Sequence, residues 1–221
     1  ILQKIRGWNF AKSAVEAAAY DVLQQQSTDS LFDALPLQPI SKIPAGISMG
    51  IYTNKQEMKD AVQKNIAAGY RRLKFKISPD VNTDNFDFIN PLLFDAGVVI
   101  GLDANGSFSH KDLNKFSYFV NTYNTVIEQP FSPSRFDVYL AAKKKFPKLK
   151  VCFDEEVKSM GDVVKLHQLG VLDELNLKVG RVGGIMNSIE ILQYCYEHQI
   201  PCWVGGMFET GIGRLLNLQF A

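Results

Sequence analysis

Residues 98–131 read VVIGLDANGSFSHKDLNKFSYFVNTYNTVIEQPF. An apolar, β-branched run, VVIGLDAN (98–105), carries an aspartate near its end, Asp103. A helix-forming stretch, SHKDLNKFSYFVNTY (109–123), follows, with Ser109 as its N-cap. A second apolar run, TVIEQPF (125–131), carries Glu128 and is stopped by Pro130. Short strands separated by a helix pair in parallel. The two acids therefore occupy the same end of neighbouring strands.

The pattern continues in both directions. FKI ends the run before it at Lys76, VCFD ends the run after it at Asp154, and LNLK ends the next at Lys178. Successive gaps are 27, 25, 26 and 24 residues (103−76, 128−103, 154−128, 178−154). One strand, one helix and two loops of an eightfold β/α barrel take about that many, since a whole barrel is typically ~250 residues. Strands are expected at 43–52, 71–77, 98–105, 125–131, 150–157, 173–180 and 200–206. Helices are expected at 55–69, 83–96 (weakened by Pro91), 109–123, 135–146, 159–170 and 184–199, and from Gly211 onward. An open doubly wound sheet is the competing architecture, but it needs chemistry at only a few strand ends. Five consecutive charged strand ends favour a (β/α)8-type barrel.

The chain of 221 residues is 46% hydrophobic and 21% charged, the balance of an ordinary globular protein. Lys and Arg number 24 against 23 Asp and Glu, with no basic stripe, so nucleic acid is not expected as a partner. No apolar run approaches a membrane span. Cys152, Cys195 and Cys202 form no CxxC pair and read as free thiols of a reducing, cytoplasmic compartment, with Cys152 and Cys202 inside strands. The chain does not begin with Met, and LLNLQFA ends it within an apolar helical pattern; a piece of a longer protein is expected, without an eighth strand. Residues 1–42 read as a helix (11–26) and a proline-bearing connector (30–44) leading into a barrel domain at 43–221.

The charged strand ends define the chemistry. In LKFK (73–76), Lys74 and Lys76 share one face and Phe75 the other. Two ammonium groups on one face should each have a lowered pKa, which makes a lysine usable as a base. Alone, such a pair is usually solvated surface; the inward face of a barrel strand offers no such solvent. Asp103, Glu128 and Asp154 are hard oxygen ligands without nearby His or Cys, a set for Mg²⁺ or Mn²⁺ and not for zinc. A single acid at a strand end commonly caps a helix; three in register do not arise so simply. Asn105 shares the face of Asp103 and is placed to orient a ligand. Lys178 is a second base, or else an ordinary cation neutralising nearby acids. Gly180, Gly183 and Gly184 would bring backbone close to a ligand. Gly205 and Gly206 would offer N–H groups to an anion, with Met207 beside them. His110, His167 and His198 are read as surface residues.

Together KxK (74–76), DxN (103–105), EQP (128–130), DE (154–155) and KxGRxGG (178–184) resemble the enolase superfamily, in its muconate-lactonizing-enzyme subgroup. WVGGMFETGIGR (203–214) is similar to the o-succinylbenzoate synthases and N-acylamino acid racemases, and AKSAVEAAAYDVL (11–23) to the helix that precedes the barrel in that group. The resemblance implies Mg²⁺ held by Asp103, Glu128 and Asp154, with Lys76 taking the α-proton of a small-molecule carboxylate. Lys178 would steady the enediolate or act as the second acid/base, and Lys74 would help bind the substrate carboxylate. It also implies an N-terminal capping domain, most of which this sequence lacks. A homo-oligomer is compatible with it. Two other readings stand beside it: a non-catalytic barrel scaffold, and a Schiff-base aldolase using Lys178, which would leave the three acids without a purpose.

Overall fold

A computed structural model describes residues 2–26 and 42–221, apart from the side chain of Gln3. The connector expected at 30–44 lies outside the described residues except for its last three. The chain divides into two compact units: Pro44–Glu155, and Ile1–Ile43 together with Glu156–Ala221.

In the first unit strands and helices alternate: β1 (Ile47–Met49), α2 (Lys55–Ala67), β2 (Arg72–Lys76), α3 (Thr83–Asp95), β3 (Val99–Asp103), α4 (Leu113–Thr122), β4 (Val126–Glu128), α5 (Phe136–Lys145) and β5 (Lys150–Phe153). Helix α1 (Asn9–Gln26) belongs to the other unit. The strands pair in parallel and in chain order. Period-two alternation is visible in β2, where Leu73 and Phe75 are fully buried and Lys74 and Lys76 are not. Phe75 turns to the helix side and meets Phe86 of α3 edge-on, with ring centroids 5.8 Å apart. The layer continues through Phe86–Phe119 at 5.6 Å, Phe116–Phe131 at 5.3 Å and Tyr139–Phe153 at 4.8 Å. This aromatic layer fills the space between strands and helices, leaving the opposite strand face to polar groups. Asn54 caps α2 by accepting from Gln56 N at 2.7 Å. Ser109 and Asp112 form the capping box before α4, whose first turn is a 3-10 turn at His110–Asp112. Pro91 does not end α3, which runs on to Asp95.

In the second unit α1 (Asn9–Gln26) accompanies α6 (Met160–Gln168), β6 (Glu174–Leu177), the single turn α7 (Val179–Val182), α8 (Ile185–Glu197), β7 (Cys202–Val204) and α9 (Gly211–Phe220). β6 and β7 pair in parallel, Leu175 opposite Cys202 and Leu177 opposite Val204. Ala17 of α1 packs with Val179, Ile185, Ile189, Leu216 and Phe220. The strand expected at 173–180 stops at Leu177, and the α7 turn takes up the residues that follow Lys178. The three cysteines are in no disulfide, Cys152 and Cys195 buried and Cys202 half-buried at the start of its strand. Among the described residues no helix is long and apolar enough to cross a membrane.

Candidate metal and proton-transfer site

Register builds the first half of the site. Lys76 pairs with Asp103, and Asp103 with Glu128, so three charged side chains stand abreast at the ends of β2, β3 and β4. Glu128 pairs with Cys152, which places Asp154 two residues beyond, just past the end of β5. All three acids are buried, at 4%, 3% and 4% exposure for Asp103, Glu128 and Asp154. Lys74 pairs with Gly101, where an added Cβ would stand 3.2 Å from the Lys74 Cγ; glycine there leaves room for the lysine stem.

Lys74 Nζ lies 2.7 Å from Glu128 Oε2 and 3.2 Å from Asp103 Oδ2. Burial pushes this lysine down, but Glu128 and Asp103, by charge and by hydrogen bonding, more than compensate, so its pKa lies above the ordinary value. That corrects the expectation of a lowered Lys74: its dominant neighbours are carboxylates, not Lys76. Burial pushes the Glu128 carboxyl up to about 7, against the attraction of Lys74 and with the repulsion of Asp103 and Asp154. Two acids bridged by one ammonium remain short of positive charge.

Lys76 Nζ sits 3.7 Å from Asp103 Oδ2 and donates to Asn105 Oδ1. Its side chain is 42% exposed, the most open of these groups, as a proton-transfer amine must be. Asn105 adopts φ 44°, a left-handed conformation that Asn tolerates, and its N–H donates to Asp103 Oδ1 at 3.1 Å.

Two further residues of this unit support the site. Gln129 is fully buried at φ 38°. Its Nε2 donates to Phe131 O at 3.0 Å and Tyr139 Oη at 2.9 Å, and its Oε1 accepts from the Asp154 N–H at 3.2 Å. The residue after one acid thus anchors the backbone of the next. Its signal was a polar residue between Glu128 and Pro130, inside an otherwise apolar strand end. Glu155 accepts from Asn105 Nδ2 at 2.9 Å.

Among the described residues no group of three or more His, Cys, Asp or Glu side chains is gathered closely enough to hold an ion. The positive charge between Asp103 and Glu128 is the Lys74 ammonium. The donor chemistry nevertheless fits a hard divalent cation: buried carboxylates from three successive strand ends, one of them pushed up to about 7 by burial and, less strongly, by the repulsion of the other two.

In the other unit, Lys178 is the N-cap residue of α7, and its Nζ donates to Gly206 O at 2.8 Å. A Cβ on Gly205 would stand 2.0 Å from Asn176 Oδ1 and 2.8 Å from Lys178 Cε, so only glycine lets β7 end against this lysine. The Gly205 N–H is taken by Leu177 O at 2.9 Å, which corrects its expected role as a donor to an anion. Met207 is tied down by its N–H to Glu209 Oε1 at 2.5 Å and by Arg214 Nη2 to its carbonyl at 2.9 Å.

Gly180, Gly183 and Gly184 each face packed protein atoms. Added Cβ atoms would meet Phe10 at 2.9 Å, Asn187 at 2.9 Å and Glu16 Oε2 at 1.9 Å. Gly180 and Gly184 leave room for helix α1, and Gly183 for Asn187 of α8 and Asn9 of α1. Glu16 Oε2 accepts from Ile185 N at 2.5 Å, at the start of α8, and Asn9 Nδ2 donates to Arg181 O at 2.7 Å. An N-terminal helix thereby braces the segment that follows Lys178, which no local pattern announced. His167 and His198 lie against Tyr194, away from these groups: His167 Nδ1 is 2.8 Å from Tyr194 Oη, and the His198 ring stacks on it at 3.9 Å.

Comparison with known proteins agrees with this architecture. Residues 57–221 match the family described as Enolase C-terminal domain-like. An o-succinylbenzoate synthase of Enterococcus faecalis is 33% identical over all of this chain and 59% of its own length. An N-succinylamino acid racemase of an Amycolatopsis species is 30% identical over all of this chain and 58% of its own length. A crystal structure of an enolase superfamily member of unknown function from Enterococcus faecalis superimposes with a TM-score of 0.88 at 32% identity, covering 99% of this chain and 58% of that one. The chain thus spans under two thirds of the length of these relatives. With strand–helix alternation, register-matched acids and this identity in hand, the chain belongs to the Enolase C-terminal domain-like family of the enolase superfamily.

Proposed function

We propose that this chain is the catalytic part of an enolase-superfamily enzyme that abstracts the α-proton of a carboxylate, and that its reaction is the dehydration catalysed by o-succinylbenzoate synthases. The observation that carries the proposal is the half-exposed Lys76 amine beside buried Asp103 and Glu128, with Lys74 between those acids. Asp103, Glu128 and Asp154 would hold Mg²⁺, or Mn²⁺ in its place. When bound, the ion supplies positive charge to carboxylate oxygens that become more negative as the α-carbon loses its proton.

The remaining steps belong to the chain itself. Lys74 meets the substrate carboxylate with its ammonium. Lys76, as a neutral amine, takes the α-proton of a cyclohexadiene carboxylate. The C–O bond to the departing hydroxyl then breaks, the ring electrons close to an aromatic 2-succinylbenzoate, and Lys76 returns its proton to make water of the leaving hydroxide. Lys178 steadies the enediolate by charge. This product belongs to menaquinone biosynthesis.

A second reading is favoured by the racemase relative, whose coverage of this chain equals that of the synthase. In racemisation of an N-acylamino acid, Lys76 and Lys178 would serve opposite enantiomers. The test is turnover of both substrates by the full-length protein with Mg²⁺ in D₂O, compared with Lys178→Arg. Dehydration without racemisation supports the synthase. If α-deuterium enters both enantiomers of an acylamino acid and Lys178→Arg abolishes exchange from one only, the racemase reading replaces it. Absence of Mg²⁺-dependent turnover on either would return the chain to a scaffold role.

A further inference from the structure

We propose that Glu155 is a positioning residue for the proton-transfer lysine, acting through the side-chain amide of Asn105. The inference rests on the assignment of Lys76 as the base. Asn105 spans two partners: Nδ2 donates to Glu155 Oε1 at 2.9 Å, and Oδ1 accepts from Lys76 Nζ. The two ends of a primary amide differ in chemistry but hardly in shape, so something must decide which end faces which partner. An ionised carboxylate only accepts. Glu155 therefore holds the NH₂ end and leaves the oxygen for the lysine. The Asn105 backbone, at φ 44° and bonded to Asp103 Oδ1, fixes where the amide starts.

Lys76 needs this guidance. Its side chain is 42% exposed, so packing alone encloses it only in part. Hydrogen bonds choose its direction, and Asp103 at 3.7 Å is a looser partner than the amide oxygen. The other oxygen of Glu155, Oε2, is buried and accepts no hydrogen bond. A carboxylate with one oxygen shut away from solvent and unbonded, and the other held by Asn105, is a poor stabiliser of the fold and a good clamp on an amide.

Glu155→Gln preserves the shape and removes the rule, because a glutamine end both donates and accepts. In the full-length enzyme with Mg²⁺, the expected result is a fall in kcat for α-proton exchange of about 10- to 100-fold, as for other supporting partners of site residues. KM should stay within about 2-fold, since the substrate contacts remain. In an Asn105→Ala background the same substitution should change kcat by less than about 2-fold, because its route of action is gone. An equal loss in both backgrounds overturns the proposal. A second readout does not depend on turnover. The Asn105 side-chain ¹⁵N–¹H₂ resonance, assigned by its disappearance in Asn105→Ala, should move and exchange faster with solvent in Glu155→Gln. An unmoved resonance overturns the role of Glu155 even if the enzyme is active. Failure of the wild type to exchange any α-proton, with the resonance shifting as expected, counts instead against the assignment of Lys76 as the base.

Discussion

The ends of β2–β5 and the segments that follow β6 and β7 both present a lysine, and they hold it by opposite means. Around Lys74 and Lys76 the partners are buried acids, so charge sets the arrangement: Lys74 lies 2.7 Å from Glu128 and 3.2 Å from Asp103. At Lys178 backbone takes part: its Nζ donates to the carbonyl of Gly206, and Gly205 closes against its side chain. A site held by charge responds to pH, metal and isosteric neutralisation. A site held by backbone fit responds to volume. The same residue type is thus made electrostatically tense in one region and sterically confined in the other.

The largest test of that contrast is Lys74→Met. Removing one partner of a buried ionic cluster leaves uncompensated charge, and a loss of about 3–5 kcal/mol is expected. Urea unfolding at pH 8 measures it, and the loss should shrink at pH 5, where protonation relieves Glu128. Equal losses at both pH values would place the contribution of Lys74 in packing and break the comparison.

Next comes Lys76→Ala, which should lower Mg²⁺-dependent α-proton exchange in the full-length enzyme by about 1,000-fold while leaving the unfolding midpoint almost unchanged. A mutant that unfolds would show Lys76 to be part of the charged scaffold as well as the base.

The pH dependence of the fold sharpens the same point. Glu128 is raised from 4.5 to about 7, so the folded chain binds this proton more tightly than the unfolded chain does. Stability from this group is fully present below about 4.5 and is lost as pH rises through 7. Measured in chelator, the decline over that window should be on the order of 3 kcal/mol and should flatten in Glu128→Gln. Added Mg²⁺ should restore stability above pH 7 in the wild type and less in the mutant.

The smallest expected effect is in the other region. Gly205→Ala forces Asn176 and Lys178 to move, since the new Cβ would stand 2.0 Å and 2.8 Å from their atoms. Overpacking of this kind costs about 1–3 kcal/mol. The loss should be the same at pH 5 and pH 8, the opposite of Lys74→Met, and a pH-dependent loss would erase the distinction between the two regions.

Much of the site was legible because strands carry their chemistry at fixed period. The alternation in LKFK placed Phe75 against α3 and both lysines on the other face. The recurring gaps by themselves put Lys76, Asp103 and Glu128 in register. Cross-chain partners were not legible. Gln129 anchors Asp154 from 25 residues away, Glu155 reaches Asn105 across 50, and Glu16 meets Ile185 across 169. Nothing in local spacing encodes such pairs. The glycines after Lys178 belong to the same class: a missing Cβ announces that something approaches, and only the folded chain shows that α1 and Asn187 do.

Period and spacing alone therefore determined the α/β alternation, the faces of the strands and which acids and amines stand at corresponding ends, because backbone geometry repeats wherever a strand forms. Tertiary structure decided the electrostatic balance. Lys74 is raised and not lowered, since its pKa answers to the carboxylates within 2.7 to 3.2 Å and not to its neighbour in the chain. Charge interactions act through space over a few ångströms, and which groups come that close is settled only when strands from distant parts of the sequence lie side by side.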